Sequence, residues 1–229
     1  MFVFFHVGDD TTMPELLVAS IKFTNPDTPI VMCTDNSTPV VTGVTEVARQ
    51  PCDTDRLMTS RINAFAALQL EGAAVYLDTD MLVTSRFDVA KALGNKEVCL
   101  CRRRFMRDAS FNFNFHGLNF SEHSGKTLDQ VFPILACFTV SRSYRFWQEL
   151  GDLLRGLPEK YSIWYGDQQA MKDWLRGQTQ ASVGLMDEAQ VALLPDQSDG
   201  TQNPIAYHFK GANRKALMKP YAKRLGFIP

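Results

Sequence analysis

Positions 2–7 form an apolar run that holds only His6 as a polar residue and stops at Gly8-Asp9-Asp10, the pattern of a strand buried on both faces and ended by a turn. Thr12 stands where it can cap a helix beginning near Met13, with Pro14 in the first turn and Glu15 complementing the dipole. Leu16, Leu17, Ser20, Ile21 and Phe23 keep helical spacing as far as Asn25-Pro26-Asp27. Residues 30–33 read as a second strand and residues 44–48 as a third. A long helix from Thr54 or Asp55 carries Leu57, Ile62, Phe65, Ala66 and Leu70 mainly on one face, and Glu71-Gly72 stops it. A fourth strand over residues 73–77 then runs straight into Asp78-Thr79-Asp80. The order β-α-β-β-α-β predicts an α/β fold, with a mainly parallel sheet and helices packed on it.

The second half is less regular. Strands are expected over residues 97–101, 134–140, 191–194 and 205–209, and helices over about 144–154 and 167–175. Between them, residues 102–129 are polar and aromatic with no clean period, and unpatterned stretches of that length are usually functional or mobile. The chain ends in a basic tail of Lys210, Arg214, Lys215, Lys219, Lys223 and Arg224. With neither repeat nor linker in view, residues 1–229 read as one domain, residues 1–83 forming one half and 84–229 the other.

Composition narrows the class. The 229 residues are 45% hydrophobic and 21% charged, with a formal net charge of −1 and a pI near 6.4. Such a chain can bury a core without staples, and its charge balance gives no bulk attraction to nucleic acid or anionic membrane. The five cysteines, Cys33, Cys52, Cys99, Cys101 and Cys137, are an odd count that argues against a disulfide framework. Cys33, Cys99 and Cys137 lie in apolar runs where thiols pack as small hydrophobes, so a reducing, cytoplasmic setting is the expectation. The apolar N-terminus is short and lacks a basic region, reading as a strand rather than a signal peptide. No stretch has transmembrane length, which leaves peripheral contact as the expected way to meet a membrane.

Asp78 and Asp80 carry the strongest chemical signal. Two apart at the end of a buried strand, they are expected on the same side through alternation of an extended chain. Adjacent carboxylates repel and call for a cation. Mg²⁺ or Mn²⁺ takes oxygen ligands and bridges to phosphates, and ligands in open α/β sheets bind beyond the carboxyl ends of strands. The bland alternative is a turn cap made by Asp and Thr.

The run from Ser60 to Val83, SRINAFAALQLEGAAVYLDTDMLV, resembles the retaining nucleotide-sugar glycosyltransferases of the glycogenin and bacterial galactosyltransferase type (family 8), which have a GT-A, Rossmann-like fold. Arg61, Asp78, Asp80, Met81 and Leu82 match that family's basic helix residue, D-x-D and apolar pair. Tyr165-Gly166-Asp167-Gln168-Gln169 is similar to its D-Q segment, and Tyr207-His208-Phe209-Lys210-Gly211 to its late H-F-x-G segment. The resemblance implies a Mn²⁺ or Mg²⁺ ion held by Asp80 and His208, with Asp78 shared between metal and donor. It also implies Arg61 near the donor sugar or phosphate, Asp167 and Gln168 at the sugar and reaction centre, and the base held by the loop after the first strand, with Val7, Asp9 and Asp10. Lys210 and Gly211 would let charge and backbone approach the diphosphate, and Arg214 or Lys215 would supply a further cation there. The implied partners are a nucleotide-sugar donor, with UDP expected, and a carbohydrate, lipid or protein acceptor. The chain departs from the family at two places: Leu135-Ala136-Cys137 replaces an Asn-Ala-Gly, and Ala212-Asn213-Arg214-Lys215 replaces a Lys-Pro-Trp ending.

Other residues take plainer readings. His6, His116 and His123 are expected as packing or surface residues, with His6 inside the strand or near the base pocket. Arg102, Arg103, Arg104 and Arg107 are expected on a solvated face. Residues 111–116 alternate aromatic and polar, which reads as a half-buried strand, and Trp164 and Tyr165 are the better acceptor-side candidates. A haloacid-dehalogenase-type phosphatase would need its D-x-D on an early strand. A nucleotidyltransferase would need a Gly-rich basic loop where Gly8-Asp9-Asp10 is acidic. A GT-A domain that binds nucleotide or glycan without turnover is the non-enzyme alternative.

Overall fold

A computed structural model of the chain describes residues 1–179 and 181–229. The first part supplies β1 (Phe2–Phe5), α1 (Thr12–Thr24), β2 (Ile30–Thr34), β3 (Glu46–Arg49), α2 (Leu57–Ala67), β4 (Glu71–Leu77) and β5 (Met81–Val83). Then follow α3 (Val89–Leu93), β6 (Val98–Arg102), β7 (Asn114–Phe115), β8 (Leu118–Asn119), α4 (Leu128–Val131), β9 (Ile134–Ser143) and α5 (Arg145–Arg155). The chain finishes with α6 (Lys160–Ile163), α7 (Gly166–Arg176), β10 (Val183–Asp187), α8 (Glu188–Val191), β11 (Ala206–His208) and α9 (Ala212–Arg224).

Seven strands form one sheet in the order β10-β6-β9-β4-β1-β2-β3. All neighbours are parallel except β9, which runs antiparallel to both β4 and β6. From β1 the chain steps outward to β2 and β3, then returns to place β4 on the other side of β1. The strand order therefore reverses between β1 and β4, and a crevice opens beyond their carboxyl ends, where open α/β sheets bind ligands.

Alternation along the central strands builds a core on each face. Phe2 and Phe4 of β1 and Val75 and Leu77 of β4 join Leu17, Val18 and Ile21 of α1. Val3, Ala74 and Tyr76 point the other way, onto Ile62 and Phe65 of α2 and Phe146, Trp147 and Leu150 of α5. Trp147 is fully buried, its ring 4.8 Å from Phe65 and 4.6 Å from Tyr76. All five cysteines are free, and all but Cys52 are buried.

Several local expectations change. Helix α1 starts at Thr12 itself, whose N–H donates to Asp10 Oδ1 at 3.0 Å, so Asp10 and not Thr12 satisfies the first turn. Helix α2 begins after a 3-10 turn over Thr54–Arg56 and stops at Ala67, with Gln69 at φ 49°. Glu71 and Gly72 belong to β4, where Gly72 (φ 104°) accommodates a register shift against β9. The strand expected over residues 191–194 is a bridge between Leu193 and Tyr207, preceded by α8. The edge strand β10 adds to the expected elements: its apolar stretch, Val183 to Met186, is short and holds Gly184, and Leu185 is exposed. The unpatterned stretch holds the small hairpin β7–β8, turned through His116 (φ 52°) and Gly117 (φ 78°), the positive-φ pair that a tight hairpin turn requires.

Candidate functional site

Strand β4 ends at Leu77, and Asp78-Thr79-Asp80 is the connection to β5 rather than extended strand. A turn, not strand alternation, therefore brings the two carboxylates together. Backbone bonds fix it from both sides: Asp78 N–H donates to Cys137 O (3.0 Å), and Phe209 N–H donates to Asp80 O (2.8 Å). Strands β5 and β11 pair antiparallel with Met81 opposite His208, which delivers the histidine to the acids across a long loop of sequence. One ligand atom from each of Asp78, Asp80 and His208 lies within 4.8 Å of the others. Two carboxylates and an imidazole are a hard-to-borderline donor set, suited to Mn²⁺ or Mg²⁺ with positions left for phosphate oxygens. The three groups fit such an ion.

Basic groups surround this cluster. His208 Nε2 is 3.4 Å from Asp80 Oδ1, and Lys215 Nζ is 3.4 Å from Asp80 Oδ2. Burial works to raise the Asp80 pKa, but His208 and Lys215 more than reverse it and hold the carboxyl well below its ordinary range. Burial likewise opposes charge on His208, and Cys137 and Asp80 outweigh it, so the imidazole sits well above its usual value. A metal entering here must displace that proton. Asp78 is pushed up by burial, with Arg61 as the chief opposing influence.

Arg61 is the hub between two elements. From α2 its guanidinium donates to Asp78 Oδ1 (2.6 Å) and to Asp167 Oδ2 on α7. Its side chain is only 13% exposed and that of Asp167 6%. Asp167 also accepts from the Gln168 N–H. The helix carrying both starts abruptly. Tyr165 takes φ 63°, and a Cβ on Gly166 would lie 1.9 Å from Tyr161 O and 2.5 Å from Leu154 Cδ1. Gly166→Ala is expected to cost about 2 kcal/mol from overpacking, lowering Tm by about 4–8 °C for a domain of this size. An unchanged melting curve would show that α7 is not anchored through this contact.

The remaining expected residues fall into three groups. Val7, Asp9 and Asp10 lie on the loop leaving β1, one strand over from Asp78, with Gly8 N–H bonded to Thr38 Oγ1 (2.9 Å). Val7 is half-buried, Asp9 exposed, and Asp10 is engaged in the start of α1. Gly211, at φ 87° and ψ 155°, precedes α9 in a conformation open to glycine. Lys215 reaches Asp80 from α9, whereas Arg214 makes a two-pronged pair with Asp196 (2.7 Å to each oxygen). Lys210, next to Gly211, is exposed.

Arg103 departs from the solvated-face expectation. It is 4% exposed, its Nε donates to Phe132 O (2.8 Å), and a terminal nitrogen meets Gln168 Oε1 (3.3 Å). Arg104 and Arg107 do lie at the surface, paired with Asp187 and Asp129. The sequence signal for this is weak: Arg103 directly follows the apolar strand β6. Tyr165 stacks on Phe132 (4.6 Å), and Trp164 packs 5.6 Å from Phe115 and 5.1 Å from His116, so both aromatics flank the α7 start.

No protein-family profile matches the sequence, and no curated protein matches it. Solved structures do. The galactosyltransferase LgtC, in complex with donor and acceptor sugar analogs, aligns with 100% of this chain and 98% of its own at TM-score 0.58 and 12% identity. An active-site mutant of LgtC aligns over the same shares at TM-score 0.57 and 14% identity. A glycosyltransferase involved in glycosylation of the major capsid of PBCV-1 aligns over 97% and 98% at TM-score 0.60 and 10% identity. The architecture is thus the GT-A glycosyltransferase fold, a mixed α/β domain whose seven-stranded sheet is mostly parallel.

Proposed function

We propose that this chain is a metal-dependent glycosyltransferase that moves a sugar from a nucleoside diphosphate, UDP by preference, to an acceptor hydroxyl with retention at the anomeric carbon. The observation that carries the reading is the convergence of Asp78, Asp80 and His208 at the carboxyl end of a central strand, beside the strand-order reversal. The GT-A fold, found in a neighbour with donor and acceptor sugar analogs bound, supports it.

Asp78, Asp80 and His208 would hold a Mn²⁺ or Mg²⁺ ion, which when bound neutralises charge on the leaving diphosphate. Lys215, 3.4 Å from Asp80, adds a second positive charge at the same place. Gly211 allows the backbone close to the phosphates. Arg61 fixes Asp78 and Asp167 relative to one another, so the group that shares the donor and the group that faces the sugar cannot drift apart. Asp167 then offers negative charge to the cationic sugar of the transition state, and Gln168 orients it. Val7 and Asp9 are assigned to the base, with Asp10 shaping the loop that presents them. The acceptor meets the aromatic side formed by Trp164 and Tyr165 and excludes water from transfer.

Calorimetric titration of UDP with and without Mn²⁺ tests the reading. Binding that needs the metal is the expected result; no binding of UDP or any other nucleoside diphosphate would overturn it. Lys215→Met should weaken UDP binding about tenfold, the loss of one charge-assisted contact of roughly 1.4 kcal/mol. Arg214→Met should weaken it far less, because Arg214 is spent on Asp196. The reverse order would assign the diphosphate to Arg214.

A further inference from the structure

Arg103 is fixed at three points. Its backbone N–H donates to Pro133 O (2.8 Å), directly after Arg102 pairs with Ile134 of β9. Its side-chain Nε donates to Phe132 O at 2.8 Å. A terminal nitrogen then reaches Gln168 Oε1, 3.3 Å away on the first turn of α7. At 4% exposure the guanidinium is thus held by two neutral oxygens. Burying a charge on neutral acceptors is less favourable than pairing it. What the arrangement does supply is direction, through a planar fork anchored at its base.

The residue that aims Arg103 also keys the helix it reaches. The ring of Phe132 stacks on Tyr165 (4.6 Å), the left-handed residue from which α7 starts. Asp167 is bonded to Arg61, and Arg61 to Asp78. Gln168 therefore follows a residue already tied to the acidic cluster, and its carboxamide is oriented from the β6 side.

The chemistry of the contact fixes which way that carboxamide points. A guanidinium carries donors and no acceptor, so the atom facing Arg103 has to be the amide oxygen. The NH2 group is then the free end. Among the described residues it has no bond to protein, and Gln168 is half-buried rather than sealed in. A free oxygen could accept a hydroxyl proton or lend negative charge to a cationic sugar. A free NH2 can only donate.

We propose that Arg103 is a positioning residue: it holds the Gln168 oxygen and so presents the Gln168 NH2 as a hydrogen-bond donor to an oxygen of the bound sugar. The inference rests on the glycosyltransferase reading and deepens it. Arg103 touches no substrate and acts through Gln168. Asp167 is left as the negative group at the reaction centre, because the amide oxygen beside it is already engaged.

One readout needs no substrate. The side-chain NH2 signals of Gln168, assigned in heteronuclear NMR spectra by their loss in Gln168→Leu, should relax as an ordered group in wild type and as a mobile one in Arg103→Met. A mobile group in wild type, or no change in the variant, would overturn the proposal. The other readout is Mn²⁺-dependent release of UDP from UDP-glucose, UDP-galactose and UDP-N-acetylglucosamine, followed on the one turned over fastest. Gln168→Leu and Arg103→Met should each lower kcat about tenfold. The double variant should fall no further than Gln168→Leu, because Arg103 acts through the amide. Independent losses that multiply to about a hundredfold would give Arg103 a role of its own and overturn the proposal. Gln168→Glu keeps an oxygen for Arg103 but has nothing to donate when ionised, so it should lose as much as Gln168→Leu; a retained rate would overturn the donor role. That variant carries the test if a melting curve shows that Arg103→Met does not fold. Failure of wild type to release UDP from any of these donors would instead count against the transferase reading, while the order of the Gln168 amide still tests how Arg103 holds it.

Discussion

Asp80→Ala is expected to remove Mn²⁺-dependent UDP binding and lower sugar transfer by about 10³-fold or more, roughly 4 kcal/mol on the barrier. Among the described residues Asp80 is the one acid in contact with both His208 and Lys215, so its loss would remove a proposed metal ligand and release the two cations that converge on it. What remains, Asp78 and His208, is a two-ligand set, and Asp78 is already drawn toward Arg61. A thermal-shift series with Mn²⁺ gives a reading independent of turnover. A ligand at a hundred times its Kd stabilises the folded state by about 2.7 kcal/mol, and that upward shift should appear in wild type and vanish in the variant. A retained, saturable Mn²⁺ shift in Asp80→Ala would remove this residue from the metal site.

Arg61→Met should be the most destabilising single change at the site. Arg61 bridges Asp78 and Asp167, and all three side chains are largely buried. Removing one partner of a buried ion pair leaves uncompensated charge and costs about 3–5 kcal/mol, a fall in Tm of about 6–20 °C for a chain of this length. Arg61→Lys keeps the charge but loses the planar fork that reaches two carboxylates at once, so it should recover more stability than activity. The double variant Arg61→Met/Asp167→Asn separates the roles: removing the stranded carboxylate should restore part of the stability and none of the transfer. If Arg61→Met melted like wild type, the bridge would not hold α2 and α7 together as described.

Much of the fold was legible because its signals are local. The apolar run that begins at Phe2 and the period-3.6 faces of α1 and α2 depend on near neighbours, as does the apolar strand leading into Asp78. Each marks an element whichever partner it later meets. The weak points were elements that tertiary contact defines. Strand β10 lies at the sheet edge with one neighbour, so its sequence need not read as buried. The 111–116 alternation kept its strand character only at Asn114–Phe115, because Phe111 turned into the aromatic cluster with Phe120 and Phe132.

The site divides in the same way. By itself the sequence determined the residue types and their place along the chain: two acids after a buried strand, an Asp-Gln at a helix start, and a histidine in a late strand. It could not determine which of Arg214 and Lys215 would face the acids. They are adjacent on α9, about 100° apart around the axis, and the packing of that helix turned one to Asp80 and the other to Asp196. Nor could it place Arg103 inside while Arg104 stayed out, since successive residues leaving a strand point to opposite sides and only the layer above decides which side is solvent. The meeting of Asp80 with His208 belongs to the tertiary structure too. It depends on the β5–β11 ladder, a pairing between distant segments whose loop-closure cost is recovered only once the surrounding core has formed.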